Sequence, residues 1–128
     1  MVDIKKSLDM RLLKSEAKHN TAMFVALEPN KEDRNGDVIK KDEVIKTAHN
    51  FVKNLWEKDV NFNHEENTET DKARFVESYT IHKKQVVGNT TLNDWTWIIW
   101  LEFDDDLFEE VKKWNINWIS VEWKWKAE

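Results

Sequence analysis

The 128-residue sequence contains no cysteine, which excludes a thiolate nucleophile, a thiolate metal site and a disulfide together. Covalent chemistry would therefore fall to serine, threonine or a carboxylate. A serine hydroxyl is a poor nucleophile until a neighbouring imidazole accepts its proton, and the imidazole works best when a third group fixes its tautomer. Of the four histidines, His19, His49 and His82 look ordinary, while His64 closes the strand-like run Val60 to His64. Ser120 sits between Ile119 and Val121 in an apolar run, and Glu77 lies in an alternating stretch. Each also has a plain reading. A lone histidine is commonly a solvated polar residue. A serine in an apolar strand is commonly a small residue bonded to backbone, and Glu77 could be an outward residue paired with Arg74 or a lysine. His64-Glu65-Glu66 invites a metal reading, but adjacent carboxylates point in different directions and no second histidine follows at helical spacing. No metal or other cofactor is expected.

The elements that must position these residues follow from patterning. Thr21 to Glu28 is a short apolar run that stops at Pro29, as a buried strand would. A polar stretch with the Asn35-Gly36 turn signal leads to a helix for which Asp42 is a plausible N-cap. In that helix Val44, Ile45, Ala48, Phe51, Val52 and Leu55 recur at three- and four-residue steps. Val60 to His64 and Ala73 to Ile81 read as strands around an acidic loop, Glu65 to Lys72. His82 to Asp94, with Gly88-Asn89, reads as a hairpin connection, and Thr96 to Phe103 as a strand. A second helix is expected from Asp104 to about Trp114, because Asp104-Asp105-Asp106 suits the positive end of a helix dipole. Leu107, Phe108 and Val111 form its apolar stripe, and Ile116 to Lys124 is the last strand. Residues 1–20 show no sustained period and read as an extended arm or edge strand ahead of one domain over 21–128. The class is α+β, an antiparallel sheet or barrel with two inserted helices.

Composition narrows the function. Hydrophobic residues make up 40% of the chain and charged residues 35%, enough for a core within a solvated exterior. A net charge of −5 disfavours a nucleic-acid partner, which needs clustered Lys and Arg. No apolar run is long enough to cross a bilayer and the start lacks a secretory pattern, so a cytosolic protein without a membrane partner is expected. Eight tryptophans stand against two glycines, and five of the tryptophans fall between Trp95 and Trp118.

Several ordered segments resemble the phage prohead protease family typified by the XkdF-type serine proteases, relatives in fold of herpesvirus assemblins. They are Val25-Ala26-Leu27-Glu28-Pro29-Asn30 with Asn35-Gly36-Asp37, the helix Asp42 to Lys53, and Asn61-Phe62-Asn63-His64. Val76-Glu77-Ser78-Tyr79, Thr96-Trp97, Asp104 to Lys113 and Ile119-Ser120-Val121 continue the match, over roughly residues 22–123. The resemblance implies a hydrolase, a serine endopeptidase that cuts scaffold and capsid-protein segments during virion assembly, inside the prohead in the host cytoplasm. It also implies Ser120 as nucleophile, His64 as general base and Glu77 as the orienting acid. The family's serine segment is typically glycine-rich. Here Trp114, Trp118, Glu122 and Trp123 occupy those positions, and Trp95 and Trp100 also stand where glycine is common. Glycine lets backbone amides approach a developing oxyanion, so this exchange leaves two readings. In one, Trp95, Trp100, Trp118 and Trp123 form substrate subsites or a homodimer contact. In the other, a protein that kept the fold and lost turnover uses them to bind a capsid, scaffold or host protein.

Overall fold

The structure is a computed structural model, and it describes residues 2–32, 36–55, 60–63 and 72–127. The elements in chain order are β1 (Val2–Glu16), β2 (Thr21–Leu27), α1 (Lys41–Leu55), β3 (Val60–Asn63), β4 (Ala73–Thr80), β5 (Gln85–Val87), β6 (Thr90–Leu92), β7 (Trp97–Phe103), α2 (Asp105–Lys112) and β8 (Trp118–Ala127). Six strands form one antiparallel sheet in the order β3-β8-β1-β2-β7-β4, curled into a half-barrel, and β5 and β6 make a separate hairpin. This is the α+β architecture with two inserted helices that the patterning implies. The expected loop Glu65 to Lys72 lies outside the described residues except for Lys72, and Asn35 of the turn signal lies outside them as well.

The first strand departs from expectation. Rather than an arm or an edge, β1 is an interior strand, paired with β8 on one side and β2 on the other. Leu8, Met10 and Leu12 are buried while Asp9 and Arg11 between them are exposed, the alternation of a half-buried strand. A register shift between Leu12 and Lys14 then changes the phase, and Leu13 packs on the opposite face. Such a bulge breaks the period of two, so the alternation visible in the sequence ends at Leu12.

The two sheet faces have separate cores. On one, Leu8, Met10, Leu12, Phe24, Trp97, Ile99, Leu101, Ile119 and Val121 pack with Val44, Ala48 and Phe51 of α1 and Phe108 and Val111 of α2. Phe51 seals this face with near edge-on contacts to Phe75 and Trp97, ring centroids 4.9 and 5.3 Å away. On the other, Met23, Val25 and Ile98 meet Leu92 and Val87 of the hairpin. Gly88 turns that hairpin with φ 59°, as a two-residue connection between Val87 and Thr90 requires. Helix α1 begins at Lys41, so Asp42 lies in its first turn rather than at the cap. Asp104 does precede α2, but its carboxylate accepts from Arg74 Nη2 at 3.0 Å instead of capping the helix.

Candidate active site

Ser120 lies in β8 between Ile119 and Val121, both buried on the helix side, so strand alternation turns its hydroxyl to the opposite face. There it is partly exposed and flanked on both sides. Its cross-strand partners are Asp9 of β1 and Asn63 of β3. The Ser120 Oγ hydroxyl donates to Asp9 Oδ1 at 2.5 Å. Asp9 escapes the sequence reading because it falls in the stretch taken for an arm. The alternation of Leu8, Met10 and Leu12 around it is the signal that could have found it.

Charges continue along the same face. Arg11, two residues beyond Asp9, brings Nη2 to 3.9 Å from Glu28 Oε1, and Lys31 Nζ comes to 3.4 Å from the same oxygen. Glu28 is largely buried and its other oxygen accepts from the Asn93 backbone N–H at 3.1 Å. These contacts tie β1, the end of β2 and the loop before β7 into one polar patch beside the serine.

The other expected site residues distribute as follows. His64 lies outside the described residues, directly after Asn63, the Cα partner of Ser120. Glu77 is on β4 opposite Trp100, at the other edge of the sheet and four places from β8 in the strand order. The sheet therefore does not bring Glu77 beside Ser120. Trp95 is half-buried, stacked on His82 at 4.4 Å with Lys41 Nζ 4.2 Å from its ring centroid. Trp100 donates its indole N–H to Tyr79 at 3.0 Å and has Lys14 Nζ 5.6 Å from its ring. Trp118 is half-buried on the face that carries Ser120, and the side chain of Trp123 lies outside the described residues. Among the tryptophans whose side chains are described, the most exposed is Trp114, at 50%.

Two of the tryptophans at glycine-type positions keep a glycine-type backbone, Trp95 with φ 67° and Trp114 with φ 64°. Around Ser120 the situation differs, because β8 continues as a paired strand to Ala127 rather than turning. Amides in such a strand point sideways to its neighbours, so β8 does not by itself aim N–H groups at the space above the hydroxyl. Among the described residues no group of three His, Asp or Glu converges as a metal-ligand set, and no helix is long and apolar enough to cross a membrane.

At the far end of the sheet a cleft is lined by Lys18, His19, Asn20, Arg74, Glu102 and Asp104, among others, and holds none of the residues above. Hydrogen bonds to Glu102, at 2.9 Å, and Asp104 raise the Arg74 pKa, fixing its charge. Lys72 donates to Asp106 Oδ2 at 2.8 Å, which with the Leu107 backbone N–H holds that carboxyl below its ordinary value. Both shifts belong to ion pairs that fasten α2 to β4 and β7.

Fold and site together define an α+β protein that presents a serine and a carboxylate on the face of a curled sheet away from its helices. Residues 9–124 match the family described as "Putative phage serine protease XkdF", and the chain belongs to that family. It is 27% identical over 109 residues to the phage-like element PBSX protein XkdF of Bacillus subtilis (strain 168), covering 84% of this chain and 38% of that protein. It is 24% identical over 114 residues to the uncharacterized protein YqbD of the same strain, covering 88% of this chain and 34% of that protein. The chain thus spans little more than a third of the length of these curated relatives. No solved structure matches it.

Proposed function

We propose that the chain is a serine endopeptidase of phage assembly, cleaving scaffold or capsid-protein segments within the prohead, with Ser120 as nucleophile and His64 as general base. The observation that carries this reading is the β3–β8 register, which pairs Asn63 with Ser120. Paired Cα atoms in an antiparallel ladder lie about 4.5–5.5 Å apart, and the His64 Cα is bonded on from Asn63 by about 3.8 Å. The proposed base is the residue that follows Asn63 in sequence.

In the reaction, Ser120 Oγ bonds to the scissile carbonyl carbon while its proton passes to His64 and the carbonyl π pair moves onto oxygen. Collapse of that oxyanion expels the amine, protonated by His64, and leaves an acyl-serine that water then cleaves by the same steps. Donors to the oxyanion must come from outside β8, whose amides face its neighbours.

A second reading, a non-catalytic protein of the same fold that holds a capsid, scaffold or host protein through tryptophan, is favoured by the half-exposed Trp114. Intact mass after treatment of concentrated protein with a fluorophosphonate separates the two. One adduct, lost in Ser120→Ala and His64→Ala, supports the peptidase. No adduct, even with the phage's capsid protein present, favours the binding protein.

A further inference from the structure

The short bond between Ser120 and Asp9 bears on the reaction that the proposed peptidase would perform, and the inference rests on that reading. The hydroxyl proton is directed to β1, on the opposite side of β8 from β3, the strand that His64 follows. We propose that Asp9 is a clasp on the nucleophile, stabilising the free serine against acylation.

The chemistry is one of donors and acceptors. In the resting chain Oγ–H donates to the Asp9 carboxylate. On attack, Oγ forms its bond to carbon and its proton goes to His64, so the acylated oxygen has no hydrogen left to donate. Two acceptors then face each other across a distance that only a hydrogen bond makes favourable. The Asp9 contact must open before acylation, and its free energy adds to the barrier. Both side chains face outward from strands whose cores are independently packed, so the contact can be removed without emptying the core.

The experiment compares the rate of fluorophosphonate labelling at Ser120 in the native chain, Asp9→Asn and Asp9→Ala, read by intact mass. Loss of the exposed hydrogen bond in Asp9→Ala should speed labelling about tenfold, and Asp9→Asn, whose amide oxygen still accepts a weaker bond from the hydroxyl, should speed it less. Equal or slower labelling than in the native chain overturns the clasp, and slower labelling in Asp9→Asn assigns Asp9 to proton acceptance instead. Silence of Ser120 in all three overturns the peptidase reading itself. A measurement independent of activity accompanies it: a denaturation cycle of Asp9→Ala, Ser120→Ala and the double variant. The folding constant of the double variant should exceed the product of the single effects by about fivefold, and strict additivity overturns the clasp whatever the labelling shows.

Discussion

Replacing Trp114 by glycine should leave the protein more stable than replacing it by alanine, the reverse of the usual order. Trp114 follows α2 with φ 64°, its N–H donating to Val111 O at 3.0 Å, while the Asn115 N–H donates to Glu110 O at 2.9 Å. This pair of bonds is the Schellman arrangement that closes a helix through a left-handed residue, normally glycine. Both substitutions discard the same indole, so packing cancels in the comparison. What remains is the left-handed strain on a Cβ, about 1–2 kcal/mol, set against the greater unfolded-state freedom of glycine, about 0.4–1 kcal/mol. Glycine should win by about 1 kcal/mol, or about 4 °C in Tm for a chain of this length. Thermal and urea denaturation of Trp114→Gly and Trp114→Ala measure it. The pair Glu109→Gly and Glu109→Ala, inside α2, serves as control and should favour alanine by about 1 kcal/mol. A Trp114→Ala chain at least as stable as Trp114→Gly would refute the claim that this position keeps a glycine backbone beneath a tryptophan side chain.

Two further outcomes follow from the ion pairs and the strand order. Asp106 is depressed in the folded state chiefly by Lys72, so its contribution to stability is fully present above the ordinary carboxylate value and is lost as pH falls through the depressed one. Lys72→Met should raise the NMR titration midpoint of Asp106, and an unmoved midpoint would mean that the Leu107 backbone bond alone sets it. Glu77→Gln should leave fluorophosphonate labelling of Ser120 unchanged, since Glu77 pairs with Trp100 at the opposite sheet edge. A large fall in labelling would show that this carboxylate does reach His64, the proposed base.

Local patterning made most elements legible. The apolar run before Pro29, the three- and four-residue spacing of Val44, Ala48 and Phe51, and the Gly88-Asn89 turn each have a local cause, and β2, α1 and the hairpin formed where those causes lie. The first strand was legible only over Leu8 to Leu12, because a bulge after Leu12 puts both Leu13 and Lys14 on the opposite face and breaks the period that marks a strand. The tryptophan excess was visible but its use was not. Trp97 is a fully buried core residue that donates to Ser78 Oγ at 2.9 Å, Trp95 is covered by His82 and Lys41, and Trp114 caps a helix.

By itself the sequence determined that no thiol chemistry is available, that the class is α+β, and that the ordered segments around Asn63 and Ser120 belong to the XkdF family. These depend on residue type and on order along the chain, which a linear pattern carries. Only the tertiary structure decided which residues stand beside Ser120. Asp9 is 111 positions away in sequence, and the β1–β8 register brings its carboxylate to the hydroxyl, while the strand order carries Glu77 to the far edge. Register and strand order are set by how both faces of the sheet bury their apolar side chains at once, a condition on the whole chain that no single segment contains.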